Sequence, residues 1–182
     1  MKLLIEDAEL ERIRQCIESY PIDGVSVGAA LDIDELKRIR ELLGEDRELH
    51  VPIDFLRADR LIERLGLNTY VKIPVGTEGF KAMQQLNSSA ISFVAVDVRT
   101  PMQALVACNC GATYVMPYVN NLDSRNAVEI VKDMSDALKR NALDAEVIAA
   151  RFKNSRQAIE LCEYGIGAVV VSADMLSSML ND

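Results

Sequence analysis

A lysine lies in the middle of an otherwise apolar segment, residues 69–75, and is the first candidate for chemistry in this sequence. Period-two alternation places Lys72 on the same face as Tyr70, while valine and isoleucine side chains share the opposite face. The apolar face is expected to pack against helices, which would turn Lys72 into an interior lined by strands. Burial lowers the pKa of a lysine and leaves some free amine, a nucleophile toward carbonyl carbons. The alternatives are a lysine paired with Glu6 or Asp97, and one that extends its ammonium group to the rim.

Other ionisable and aromatic residues lie at or near the ends of apolar runs. Glu6 ends the first run and would orient a substrate hydroxyl or relay a proton, or else serve as a charge at a helix N-terminus. Tyr118 would place a phenol in the site or at the edge of the core. Arg151, Lys153 and Arg156 form a compact cluster of cations where the seventh run ends. Such a cluster suits a phosphate, and it equally suits three solvated cations at the start of a helix.

Metal ligation and serine-hydrolase chemistry are disfavoured by the residue inventory. The cysteines Cys16, Cys108, Cys110 and Cys162 lie in apolar surroundings, and their spacing is not that of a zinc knuckle. The single histidine, His50, is far from them in sequence and argues against a Ser-His-Asp site. We therefore expect inert thiols, no metal and no cofactor.

Eight apolar runs alternate with eight amphipathic stretches. The runs predict strands at 2–6, 24–28, 49–55, 69–75, 91–98, 113–119, 145–152 and 167–172. The stretches predict helices at 8–20, 33–44, 57–66, 77–88, 100–110, 123–141, 155–164 and 173–181. Strands separated by helices pair in parallel, and continuous apolar runs indicate cover on both faces. No linker divides the chain, so the sequence predicts an α/β fold, a single (β/α)8 TIM barrel domain over residues 1–182.

The rival fold is an open, doubly wound sheet. It would need a glycine-rich phosphate-binding loop after the first strand, where this sequence is acidic. The barrel is therefore preferred, and its catalytic groups are expected at the C-terminal ends of the strands.

Composition limits the classes of partner. The net charge of -8 disfavours nucleic acid and anionic membrane surfaces, which bind clustered positive charge. The N-terminal apolar run is too short for a signal peptide, and no run approaches the length of a bilayer span. We expect a soluble, cytoplasmic protein with no nucleic acid and no membrane partner.

Three blocks of the sequence resemble the transaldolase family, specifically its short branch of fructose-6-phosphate aldolase-like proteins. They are YVKIPVGTEGFKAM (70–83), GATYVMPYVNNLD (111–123) and EVIAARFKNSRQAIELCEYG (146–165), in the order and spacing of the family. The resemblance covers nearly the whole chain, with one shortening near the third strand. It implies a class I aldolase-type barrel in which Lys72 forms a Schiff base with the ketone of a ketose phosphate. Cleavage of the adjacent carbon–carbon bond would leave a three-carbon enamine, which is protonated by an aldolase or passed to an acceptor aldehyde by a transaldolase.

The resemblance also implies roles for single residues. Tyr118 matches the family tyrosine that helps to position the catalytic water, and Glu6 stands where the family usually has aspartate. Ser26 opens the segment that replaces the family's T-T-N-P-S motif, and Asn120 closes the P-Y-V-N block. We expect both Ser26 and Asn120 to contact the substrate.

Further positions depart from the family pattern. The acidic or amide residue of the third strand has His50 and Asp54 as candidate substitutes, and the threonine of the fifth strand aligns with Val96. The phosphate-binding arginine aligns with Asn121. We expect Arg151 to take over the phosphate, while Lys153 keeps the basic position of its block.

Two other functions remain open at the level of sequence. One is a barrel that binds a phosphorylated metabolite without turning it over, and the other is an assembly or regulatory subunit in which Lys72 no longer reacts. The intact lysine block favours an enzyme, while the replaced pocket residues favour the other two. The resemblance implies a homo-oligomer, although the sequence ends at Asp182 without a counterpart of the family's additional C-terminal helix.

Overall fold

The computed structural model describes residues 1–52, 58–123 and 126–181. Over these residues, eight strands and eight α-helices alternate along the chain. The strands are β1 (Lys2–Glu6), β2 (Gly24–Ser26), β3 (Glu48–Pro52), β4 (Thr69–Pro74), β5 (Phe93–Val96), β6 (Tyr114–Met116), β7 (Glu146–Ala150) and β8 (Ala168–Val171). The helices are α1 (Leu10–Ser19), α2 (Ile33–Leu43), α3 (Ala58–Leu65), α4 (Thr77–Ser88), α5 (Pro101–Asn109), α6 (Ala127–Arg140), α7 (Ser155–Tyr164) and α8 (Ala173–Asn181). A 3₁₀ helix, Val119–Asn121, follows β6.

The strands close into one barrel in chain order, and every neighbouring pair is parallel. This confirms the predicted (β/α)8 TIM barrel and rejects the open sheet. The predicted third strand, 49–55, is observed as β3 as far as Pro52, and the candidate residue Asp54 lies outside the described residues. Among the helices that are described, none has the length and apolar character needed to cross a bilayer.

Apolar side chains form two clusters, one on each face of the barrel wall. The outer cluster fills the space between strands and helices and includes Val71 and Ile73 of β4. The inner cluster fills the barrel, and Tyr70 of β4 packs against it. The period-two prediction for the fourth strand is therefore confirmed, because alternate residues of β4 face opposite sides of the wall.

Polar side chains fill the N-terminal end of the barrel interior. Glu48 Oε1 accepts hydrogen bonds from Lys2 Nζ at 2.6 Å and from the Tyr114 hydroxyl at 2.8 Å, while Glu48 Oε2 lies 3.0 Å from His50 Nε2. Burial raises the pKa of Glu48, but hydrogen bonds from His50, Lys2 and Tyr114 outweigh this and hold the pKa at about 2. The carboxylate is thus ionised and paired at every pH near neutrality. These buried pairs stabilise the N-terminal end of the barrel, the face that in this fold usually serves stability rather than catalysis.

Candidate active site

Lys72 lies in the middle of β4 with its side chain inside the barrel. It is 5% exposed, and its Nζ donates a hydrogen bond to the backbone carbonyl oxygen of Val27 at 2.7 Å. Among the residues that the structure describes, Lys72 forms no ion pair with Glu6 or Asp97. Two alternatives left open by the sequence are therefore excluded: the lysine is neither paired with a carboxylate nor extended to the rim.

The environment of Lys72 favours the free amine. Burial lowers the pKa of Lys72 to about 8, with the charge of Glu6 raising it and the charge of Arg151 lowering it. At pH 7 about one Lys72 side chain in ten is then a free amine, against about one in three thousand for a lysine with the ordinary pKa. A lysine whose pKa is lowered in this way has the free amine that attack on a carbonyl carbon requires.

Glu6 ends β1 and lies against the segment that follows β2. A Cβ atom on Gly28 would lie 2.8 Å from Glu6 Oε1, so the absence of a side chain at Gly28 leaves room for the carboxylate. Val27, the neighbour of Gly28, is the residue whose carbonyl holds Lys72. The same short segment therefore contacts both the amine and the carboxylate.

Arg151 and Tyr118 complete the group at the C-terminal end of the barrel. The Arg151 guanidinium carbon lies 4.2 Å from the centroid of the Tyr118 ring, and Arg151 Nη2 lies 3.5 Å from Glu6 Oε1. Burial raises the pKa of Tyr118, which keeps the phenol protonated. The backbone N–H of Asn120 donates to the Arg151 carbonyl oxygen at 3.0 Å, so the segments after β6 and β7 are held together.

A second polar group lies beside the first at the end of β5. Asp97 accepts a hydrogen bond from Arg99 at 2.9 Å and another from the Asn121 side-chain amide at 2.9 Å. Burial raises the pKa of Asp97, but these two hydrogen bonds outweigh it and lower the pKa below its ordinary value. Asn121, the position at which the resemblance implies the loss of a phosphate-binding arginine, here uses its amide to hold a carboxylate.

The remaining candidates differ in position. Ser26 is the last residue of β2, is buried, and lies in register with both Glu6 and His50. Asn120 has an exposed side chain and takes part through its backbone. Lys153 is exposed in the loop before α7, where its backbone N–H donates to the Gln157 side chain at 3.0 Å. The structure thus brings Lys72, Glu6, Tyr118 and Arg151 together and places Lys153 at the surface (Asp54 lies outside the described residues).

Two features of the site, the Val27 carbonyl and Gly28, were not predicted from the sequence. The Val27 carbonyl is a backbone atom, so side-chain chemistry could not single it out. Gly28 lies two residues after β2, and a glycine at such a place is a sequence sign of close approach by another group.

The residues of the described segments do not bring three or more metal-ligating side chains together. The four cysteines are free thiols, and burial raises the pKa of each of them, that of Cys108 to about 11. Raised thiol pKa values mean little thiolate at neutral pH, which agrees with the expectation of inert thiols.

Comparison with known proteins gives a family match and a structural match. A family model described as Transaldolase/Fructose-6-phosphate aldolase matches residues 30–182. Inosine 5'-monophosphate dehydrogenase from Legionella pneumophila superposes with a TM-score of 0.70 and 13% sequence identity over 96% of this chain. The chain spans 58% of the length of that enzyme's chain. At this level of identity the structural match shows a shared barrel fold and nothing about activity.

Proposed function

Because this chain belongs to the transaldolase and fructose-6-phosphate aldolase family, we propose that it cleaves or transfers a ketol unit through a Schiff base on Lys72. The observation that carries the proposal is the buried amine itself. Lys72 is 5% exposed, its Nζ is hydrogen-bonded to a carbonyl rather than a carboxylate, and its pKa is lowered to about 8. A lysine in this state is a nucleophile at neutral pH without help from a metal or cofactor.

The proposed substrate is the ketone form of a sugar phosphate. The Lys72 amine adds to the carbonyl carbon, and the carbinolamine loses water to give an iminium ion. The bond between the α and β carbons then breaks, and its electron pair moves toward the iminium. The β carbon, whose hydroxyl loses its proton, leaves as an aldehyde, and a three-carbon enamine remains on Lys72. The enamine carbon then takes up a proton or adds to an acceptor aldehyde. Water hydrolyses the resulting imine and frees the lysine.

We assign the proton transfers to Glu6 and Tyr118, which lie at the same end of the barrel. Glu6 would accept the proton of the hydroxyl on the carbon that leaves as the aldehyde. Tyr118, protonated at neutral pH, would position the water that leaves when the imine forms and adds when it is hydrolysed. Ser26 and Asn120 would contact substrate hydroxyls. The exposed Lys153, beside the start of α7, is the proposed contact for the substrate phosphate.

Borohydride trapping tests the Schiff base directly. The protein is incubated with fructose 6-phosphate, dihydroxyacetone or hydroxyacetone, reduced with borohydride, and measured as intact mass and as peptides. We expect a reduced adduct on the peptide that contains Lys72 and no adduct in Lys72→Met. Lys81→Met is the matched control, because it removes an exposed lysine of α4 that has no role in the proposed site and should keep the adduct.

The negative outcome of this experiment is equally definite. A folded wild-type protein that gives no adduct with any of these carbonyl compounds is not a Schiff-base enzyme for this class of substrate. An adduct that persists in Lys72→Met would move the nucleophile to another lysine.

A further inference from the structure

The guanidinium group of Arg151 contacts two other side chains, those of Tyr118 and Glu6. One face of the guanidinium lies over the Tyr118 ring at 4.2 Å, and Nη2 points to Glu6 Oε1 at 3.5 Å. A guanidinium that binds phosphate usually offers two parallel N–H groups to the anion. Here the neighbouring Glu6 carboxylate already faces that group and would repel a phosphate.

The backbone of Arg151 turns the side chain into this position. Ile148 and Ala150 of β7 belong to the inner apolar cluster and Val147 and Ala149 to the outer one, so simple alternation would send residue 151 toward the helices. Arg151 instead has φ of 56°, a left-handed conformation that is unfavourable for a non-glycine residue. Strain of this kind is typical of functional sites, where it directs a side chain.

Arg151 and Lys72 are connected through Glu6 and the short segment that follows β2. Arg151 contacts Glu6, Glu6 Oε1 lies against Gly28, and the adjacent Val27 carbonyl accepts the Lys72 hydrogen bond at 2.7 Å. These contacts place one fixed positive and one fixed negative group beside the amine.

Other titratable groups also face this part of the interior. His50 of β3 lies below Lys72, and burial lowers its pKa, so that its imidazole is neutral at pH 7. The phenols of Tyr70 and Tyr118 have pKa values raised by burial and are neutral too. Asp97, at the end of β5, is held by Arg99 and Asn121. Glu6 and Arg151 are therefore the charged groups through which the protein acts on the state of Lys72.

We propose that Arg151 is a positioning residue for the reaction at Lys72: held by Glu6 and Tyr118, its charge keeps the neighbouring amine in the unprotonated, nucleophilic form. The inference rests on the proposed Schiff-base function and deepens it. It replaces the expectation from sequence that Arg151 binds the substrate phosphate. Glu6 acts in the opposite sense, so the pair sets the fraction of reactive amine between them.

The effect on the amine has a definite sign. The positive charge of Arg151 lowers the pKa of Lys72, and the negative charge of Glu6 raises it. Removal of Arg151 also leaves Glu6 without this partner, so both changes favour the ammonium form. Removal of the Glu6 charge has the reverse effect.

The test measures the amine without any substrate. Wild type, Arg151→Met, Glu6→Gln and the double variant are treated with trace acetic anhydride across a range of pH, and acetylation of the Lys72 peptide is followed by mass spectrometry. We expect Arg151→Met to acetylate roughly threefold more slowly than wild type at pH 7, and Glu6→Gln roughly threefold faster, from a change of about half a pH unit in each midpoint. The double variant should return close to wild type because the two changes oppose each other.

Two further variants separate charge from shape. Arg151→Lys keeps the charge and should restore most of the acetylation rate. Lys81→Met removes an exposed cation of α4 outside the site and should leave the rate unchanged. A rate in Arg151→Met equal to that of wild type at every pH would overturn the inference. So would saturable binding of inorganic phosphate to wild type that is lost in Arg151→Met, because this would make Arg151 an anion receptor.

The experiment distinguishes failure of the inference from failure of the proposed function. If borohydride trapping gives no adduct but the acetylation rates shift as expected, the electrostatic control is real and the Schiff-base function is wrong. If the adduct forms and the rates do not shift, the function stands and the role of Arg151 is wrong.

Discussion

Lys72→Met is expected to make the protein more stable at neutral pH, because it replaces a buried ammonium group with an apolar side chain of similar length. The lysine is 5% exposed and has one hydrogen bond, to the Val27 carbonyl, with no carboxylate in ion-pair contact among the described residues. Burying a charge in this way costs free energy that the fold must supply elsewhere. The predicted nucleophile should therefore be recognisable by its cost in stability as well as by its reactivity.

The size of that cost follows from the pKa of Lys72. The pKa is about 8 in the folded protein and 10.5 when the lysine is solvated, so the folded state disfavours the ammonium form. The penalty is fully present below pH 8 and shrinks as pH rises toward 10.5, which gives about 3 kcal/mol at pH 7 and about 1.4 kcal/mol at pH 9.5. Methionine loses the hydrogen bond to Val27, which returns about 1 kcal/mol. The expected gain in the free energy of unfolding is thus about 2 kcal/mol at pH 7 and close to zero at pH 9.5.

Urea unfolding followed by circular dichroism, at pH 7 and pH 9.5, measures this difference. Groups that titrate elsewhere do so in both proteins and cancel in the comparison at each pH. Lys153→Met is the control, because an exposed lysine should change the free energy of unfolding by less than about 0.5 kcal/mol at either pH. The reasoning is refuted if Lys72→Met is less stable than wild type at pH 7, or if the difference is the same at both pH values.

Two further variants test the two ends of the barrel. Glu48→Gln should lower the free energy of unfolding at pH 7 by about 3 kcal/mol, since it removes the carboxylate bound by Lys2 and His50. The pKa of Glu48 is about 2 in the folded protein and 4.5 when solvated, so Glu48 stabilises the fold fully above pH 4.5 and loses this contribution as pH falls toward 2. In urea unfolding, the free energy of unfolding of the variant should therefore fall less between pH 4.5 and pH 2 than that of wild type. An equal fall in both proteins would contradict the assignment. Gly79→Ala should destabilise α4 by about 2 kcal/mol despite the better helix propensity of alanine, because the new Cβ would lie 1.9 Å from the Pro74 carbonyl oxygen. Thermal unfolding with the exposed Lys81→Ala as control checks this, and a wild-type midpoint in Gly79→Ala would show that the backbone adjusts at little cost.

The alternation of strands and helices was predictable because each element carries its own periodicity. The clearest error in the boundaries is at the predicted helix 123–141, which begins at Ala127. The chain after β6 first forms the 3₁₀ helix Val119–Asn121, and its two asparagines bond to Asp97 and Arg151 at the mouth of the barrel. The predicted strands at 91–98 and 113–119 are also too long, because apolar residues such as Ile91 are buried in loops without pairing in the sheet.

The inward direction of Lys72 was predictable from its apolar neighbours alone, whereas its partners were not. The acceptor at Val27 is a backbone oxygen 45 residues away in sequence. The direction of Arg151 depends on a left-handed conformation at a residue type that does not signal one. The polar group around Glu48 joins β1, β3 and β6, which only the closed barrel brings together.

Lys2 and Lys72 show why burial alone does not select a nucleophile. Both amines point into the barrel, one at each end, but the Lys2 side chain stays 40% exposed while Lys72 is buried. Burial lowers the pKa of Lys2, but hydrogen bonds to Glu48 and Tyr114 outweigh this and raise the pKa above its ordinary value. Lys72 meets a carbonyl oxygen where Lys2 meets a carboxylate, and Glu6, the acid at its own end of the barrel, is engaged by Arg151. Because an amine reacts only when no carboxylate holds its proton, the deeper burial of Lys72 and its carbonyl partner separate the proposed nucleophile from the structural lysine.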